Sequence, residues 1–155
     1  MILHASITSE CPQGAAETIA AILGGVALPY PDFGEKAWLA MAGDEHGTLI
    51  EFLERGKEFH YVENAAVAHV TGTPARHSGF HLLIETPHDV AKVLAIAAGR
   101  GYPAHVAQHG PLTVVELWLD GCTLIEVATP AMAAHYRSLA RVASVRESIA
   151  PNAMS

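Results

Sequence analysis

Polar and apolar residues alternate from Leu3 to Thr8, with His4, Ser6 and Thr8 on one side and Leu3, Ala5 and Ile7 on the other, the period of a half-buried strand. The pattern then changes. Pro12 suits a first helical position, and Ala15, Ala16, Ile19, Ile22 and Leu23 recur at helical spacing until Gly24-Gly25 stops the run. Val26 to Gly34 reads as a short extended piece and turn. A strand over Ala37 to Ala42, a hairpin turn at Gly43 to Gly47 and a returning strand over Thr48 to Leu53 complete a β-α-β-β-β unit. On the returning strand Leu49, Glu51 and Leu53 share one face, which sets a carboxylate between apolar neighbours.

From Glu54 to Ser78 the pattern weakens, and the spacing predicts a connection that covers part of a site or swaps between subunits. The order then repeats. Phe80 to Glu85 is a strand with His81, Leu83 and Glu85 on one face. Thr86-Pro87 is expected to open a helix whose apolar stripe is Val90, Val93, Leu94 and Ala97 and which Gly99 and Gly101 close. Three strands follow, over Tyr102 to Ala107, Leu112 to Leu119 and Cys122 to Ala128, with turns at His109-Gly110-Pro111 and Asp120-Gly121. Thr129-Pro130 starts a last helix to about Val145, placing Met132, Tyr136, Leu139, Ala140 and Ala143 on the sheet. The expected organisation is therefore a first unit at 1–54, a connection at 55–78, a second unit at 79–129 and a terminal helix and tail at 130–155.

The repeat is visible in the residues themselves. Thr48-Leu49-Ile50-Glu51 recurs as Thr123-Leu124-Ile125-Glu126, and each copy lies a similar distance after a histidine that opens an apolar run, His4 and His81. Two duplicated His and Glu pairs offer two imidazoles and two carboxylates, a mixed nitrogen and oxygen set suited to Ni, Zn, Co, Fe or Mn as a divalent ion. A six-coordinate ion on His4, Glu51, His81 and Glu126 would keep two positions for adjacent oxygens of a substrate. Lewis-acid polarisation there acidifies a neighbouring C–H, and a carboxylate moves the proton, with Glu126 the expected base and Glu51 the alternate.

Composition narrows the partners. The chain has 155 residues, half of them hydrophobic, enough for one compact core; 9 basic against 16 acidic residues, with no basic block, argue against a nucleic-acid or anionic-membrane partner. No apolar stretch is long enough for a spanning helix, so a cytoplasmic protein acting on a small molecule is expected. Cys11 and Cys122 form no CxxC pattern and read as buried thiols.

With two βαβββ units, each bearing a histidine on its first strand and a glutamate on its last, the sequence resembles the vicinal oxygen chelate superfamily. That group includes glyoxalase I, methylmalonyl-CoA epimerase, extradiol dioxygenases and the fosfomycin- and bleomycin-resistance proteins. The resemblance covers residues 1 to 130 and implies an α+β fold in which eight strands curl into an open barrel-like sheet around a metal-centred cleft. It places His4, Glu51, His81 and Glu126 where glyoxalase I has its metal ligands, and it implies a homodimer. Three activities follow. The first is a metal-dependent lyase or isomerase working through an enediolate-like intermediate. The second is a non-haem iron extradiol-type dioxygenase, which a fourth protein ligand would obstruct. The third is a binding or drug-sequestering protein without catalysis. Among the remaining residues, His105 and His109 receive no role, Trp38 and Trp118 are read as core packing, and Arg137, Arg141 and Arg146 as a solvated face.

Overall fold

The computed structural model describes residues 4–31, 34–60, 68–72 and 80–139. In chain order the elements are β1 (His4–Ser9), α1 (Pro12–Leu23), β2 (Val26–Pro29), β3 (Trp38–Met41), β4 (Leu49–Glu54), β5 (Lys57–His60), β6 (Ala68–Thr71), β7 (His81–Glu85), α2 (Val90–Gly99), β8 (Ala104–His109), β9 (Leu112–Leu119), β10 (Thr123–Ala128) and α3 (Pro130–Leu139). Two four-stranded sheets result, ordered β1-β4-β3-β2 and β7-β10-β9-β8. In each, the first strand of the unit runs parallel to the last, and the other pairings are antiparallel. The fold is α+β, and the two sheets do not close on each other. No helix among the described residues is long and apolar enough to cross a membrane.

The helices cover one face of the sheets. Ala15, Ala16, Ile19 and Ile22 of α1 and Val93 and Ala97 of α2 join Ile7, Ile50 and Phe52 of the first sheet and Val115, Leu117, Ile125 and Val127 of the second in a single core. Each large member removed from water contributes roughly 1.5–3 kcal/mol. Two glycines fix how α1 turns into β2. Gly24 ends the helix at φ +74°, with the Gly24 and Gly25 amides donating to the carbonyls of Ala21 and Ala20 at 3.3 and 2.8 Å. Gly25 lies so close to β3 that a Cβ there would sit 1.8 Å from the Met41 carbonyl oxygen.

Several expectations are corrected. The helix after β7 begins at Val90, not at Pro87: Asp89 caps it by accepting from the Lys92 amide at 2.8 Å, while Thr86 turns its hydroxyl to the Ile22 carbonyl. The Thr86 hydroxyl also accepts from the His88 amide at 3.2 Å, which makes a turn ahead of the helix. Strand β8 starts two residues late because Tyr102 still closes α2, its amide donating to the Ala97 carbonyl at 3.0 Å. The stretch expected as a plain connection carries the antiparallel ribbon β5 and β6, four residues each. Four residues each are too short for a period to stand out: β5, Lys57-Glu58-Phe59-His60, has one apolar residue, and β6, Ala68-His69-Val70-Thr71, alternates over two cycles only. On α3 Met132 packs against the core and Leu139 is half-buried, as expected, whereas Tyr136 is exposed and Ala133 is the buried residue. The expected helix beyond Leu139, with Ala140, Ala143, Arg141 and Arg146, lies outside the described residues, as does Leu3. Cys11 is exposed and Cys122 half-buried, so neither is the buried thiol expected.

A polar clasp joins the two units. Asp120, at φ +53° in the β9–β10 turn, accepts from the Ser9 hydroxyl at 2.9 Å, the Glu10 amide at 2.8 Å and Arg55 Nη2 at 3.2 Å. Arg55 also reaches Glu10 through Nε at 2.8 Å and the Cys122 sulfur through Nη2 at 2.8 Å. Both Asp120 and Arg55 are only 10% exposed. Burial works against the guanidinium charge, yet the Cys122 and Asp120 side chains outweigh it and hold the Arg55 pKa above its ordinary value. Nearby, burial pushes the Tyr102 hydroxyl up.

Candidate functional site

The faces turned away from the helices carry the chemistry. In the second sheet the register sets Glu126 on β10 directly opposite Glu116 on β9, with Leu83 of β7 and His105 of β8 at the ends of the same row. His81, opposite Leu124, and His109, at the end of β8, flank that row. The side chains follow the register. His81 Nε2 lies 3.7 Å from Glu126 Oε2, and His109 Nε2 lies 3.0 Å from Glu116 Oε1 and 3.6 Å from Glu126 Oε1. His105 Nε2 is 3.5 Å from Glu116 Oε2, which also accepts the Trp118 indole N–H at 3.1 Å. The two carboxylates are 12 and 13% exposed, whereas the three imidazoles stand about half in solvent.

The first sheet offers a plainer face. Glu51 on β4 lies between Ser6 of β1 and Leu39 of β3, and Ser6 donates its hydroxyl to Glu51 Oε2 at 2.5 Å. Beyond Leu39 the row ends at Leu28, which is exposed, and His4 at the start of β1 is exposed beside Leu49. Between the two units lies a cavity of about 570 Å³, lined by His4, Leu49 and Ile50 from one side and Leu82, Leu83 and Ile84 from the other. That volume suits a small organic molecule.

No protein-family model matches the chain, and no curated protein matches it in sequence. Solved structures do match. The fosfomycin resistance protein FosX from Mesorhizobium loti superposes with a TM-score of 0.55 at 9% identity, over 88% of this chain and 97% of its own. Glyoxalase I of Leishmania major gives 0.53 at 16% identity over 96% of both chains, and lactoylglutathione lyase of Agrobacterium tumefaciens 0.53 at 10% over 84% and 93%. The chain has the vicinal oxygen chelate fold.

Within this vicinal oxygen chelate fold the four residues singled out by the repeat occupy equivalent places: His4 and His81 open the first strands, and Glu51 and Glu126 sit at matching positions of the last strands. His81 and Glu126 are brought together. Among the described residues no hydrogen bond or ion pair joins them to His4 or Glu51, and no three His, Cys, Asp or Glu side chains surround a common metal position. Sequence reasoning missed Glu116 and left His105 and His109 without a role, although all three touch the Glu126 row. Trp118, read as core, instead turns its indole N–H to Glu116. Strand pairing was the signal, but the expected turn was one residue short: Asp120-Gly121 alone would set Glu116 opposite Ile125, whereas the observed loop, residues 120–122, pairs Leu119 with Thr123 and so Glu116 with Glu126.

Proposed function

We infer that the protein is a divalent-metal-dependent lyase or isomerase of glyoxalase-like type, acting on a small molecule with two adjacent oxygens. The observation that carries this reading is the matched placement of His4 and Glu51, and of His81 and Glu126, on two equivalent sheets; of the four, His4 also lines the cavity of about 570 Å³ between the units. The donor set fits such an ion. Two imidazoles and two carboxylates suit a borderline metal, and Glu126 is largely shielded from water, where a carboxylate without a cation is costly. His81 and Glu126 would hold the ion from one side and His4 and Glu51 from the other. A homodimer that sets the first unit of one copy against the second unit of another is one way to close the set.

When bound, such an ion supplies Lewis-acid polarisation of a substrate carbonyl and charge to balance an enediolate-like intermediate. Glu126 is the proposed base that takes the proton from the carbon beside that carbonyl and returns it; the imidazoles of His81 and His109, 3.7 and 3.6 Å from its two oxygens, support that role. Glu51 is the alternate base, and Ser6 fixes its orientation.

Elemental analysis of the purified protein tests the reading, with His4→Ala and Glu126→Ala beside it. Near-stoichiometric Ni, Zn, Co, Fe or Mn in the parent and loss in both variants support the four-ligand set. A parent that stays metal-free after reconstitution, or variants that keep the metal, would sink it. Oxygen uptake dependent on iron would instead favour the extradiol reading.

A further inference from the structure

The cavity between the units has a chemical character of its own. β1 and β7 are the outermost strands of their sheets, and both line it, so it marks the seam where the two sheets fail to join. Its walls are apolar, with Leu23 from the end of α1, Leu49 and Ile50 from β4, Leu82 and Ile84 from β7, and Pro87 beyond that strand. Polar groups are few. The Thr86 hydroxyl is already committed, donating to the Ile22 carbonyl and accepting from the His88 amide. That leaves His4, Asp44, Thr48 and Glu85 to meet a ligand, and no Lys or Arg lines the cavity. The two carboxylates differ. Glu85 accepts from Arg137 Nη1 at 2.7 Å, so a cation already balances its charge. Asp44 is exposed, and among the described residues no Lys or Arg reaches it. The Thr48 hydroxyl and amide, with the His46 amide, hydrogen-bond its carboxyl and hold it below the usual range. An ionised group without a fixed cation thus stands beside an apolar interior. The whole chain adds to that sign, since 16 acidic against 9 basic residues draw in cations and repel anions.

We propose that this cavity binds a small amphiphilic amine, its alkyl or aryl body against Leu49, Leu82 and Ile84 and its ammonium group at Asp44. A volume of about 570 Å³ suits such a molecule. Burial of the apolar body supplies most of the affinity, and Asp44 selects the head group. A carboxylate or phosphate of the same shape would meet Asp44 with no basic side chain to offset it. The site needs no metal, and of the four candidate ligands it shares only His4, so it stands or falls separately from the four-ligand reading.

Three probes with one body and different head groups test this: phenylbutylamine, phenylbutanol and phenylbutyrate. Each is titrated into the full chain by isothermal calorimetry at neutral pH with a chelator present. The amine is expected to bind about 5-fold more tightly than the alcohol, the scale of a charged contact partly screened by solvent, and the carboxylate more weakly than either. Asp44→Asn keeps an acceptor oxygen for the turn and removes the charge. It should erase the advantage of the amine and leave the alcohol unchanged. Leu49→Trp puts bulk into the wall at a half-buried position outside the core, and should abolish binding of all three. If that variant fails to fold, the Asp44→Asn comparison decides alone. An amine that does not bind, a carboxylate that binds as tightly as the amine, or an amine preference that survives Asp44→Asn would overturn the proposal. So would folded Leu49→Trp protein that binds as the parent does. Because the chelator is present throughout, failure here leaves the elemental analysis and the four-ligand reading untouched.

Discussion

The two units share a strand order and a pairing scheme but carry different side chains on their corresponding open faces. Superimposing their registers sets Leu28 against His105, Leu39 against Glu116, Met41 against Trp118 and Ser6 against Leu83, with His4 and Glu51 matching His81 and Glu126. The first face is apolar around a single carboxylate tied to a hydroxyl. The second carries carboxylates in pairs and imidazoles around them. Duplication supplies a symmetric frame, and substitutions on the solvent side, where packing constrains little, let one half keep an apolar wall while the other gathers donors.

The largest expected effect separates the cores. Phe52 and Val127 hold equivalent, fully buried positions. Phe52→Ala should cost about 4 kcal/mol and Val127→Ala about 2 kcal/mol in urea denaturation, from lost burial and the cavity left behind. Equal costs would show that the helices do not bear on the two sheets unequally. Next come the turns. Asp120→Ala strips a shielded carboxylate from Arg55 and should cost about 3 kcal/mol by the same denaturation, as losing one partner of a buried ion pair does. The corresponding first-unit residue, Asp44, bonds only within its own turn, to the His46 and Thr48 amides, and its loss should be much milder.

Helix starts differ on a smaller scale. Asp89 caps α2 with its side chain, whereas Cys11 precedes α1 with no side-chain cap. Asp89→Ala should lower stability by about 1 kcal/mol, and Cys11→Asp should raise it by about 0.5 kcal/mol; thermal melting of both checks the pair. Smaller still is a pH effect. Hydrogen bonds from the Thr48 side chain and amide hold the Asp44 carboxyl below its usual range. A carboxylate whose pKa is depressed by folding stabilises the fold above its unfolded value, about 3.9, and loses that contribution as pH falls through the lower folded value. Amide exchange at Thr48 should therefore quicken below about pH 4.

How much of this could be seen in the sequence depends on where alternation survives. His81 and Glu126 stand out in the sequence because they repeat His4 and Glu51, the one opening an apolar run and the other ending a marked tetrad. Glu116 was hidden because β9 reads Leu112-Thr113-Val114-Val115-Glu116-Leu117-Trp118-Leu119, apolar on both sides, so no period says which face is covered. His109 was hidden because Tyr102 delays the strand, and the delay carries the histidine from an expected turn onto the sheet. The clasp was beyond local reading. Ser9 and Asp120 are separated by 111 positions, and an Asp-Gly pair announces a turn without saying what the turn will touch.

That turn has a geometric consequence. β1 runs from His4 at one end to Ser9 at the other, and β9 and β10, which carry Glu116 and Glu126, meet at Asp120. Tying Ser9 to Asp120 makes the clasp a fulcrum: a small tilt about it becomes a larger excursion where His4 and the glutamates lie. Residues that touch no substrate could then tune the width of the cleft, and variants of Arg55 or Asp120 would be felt as altered reach between the two halves before any change in their chemistry.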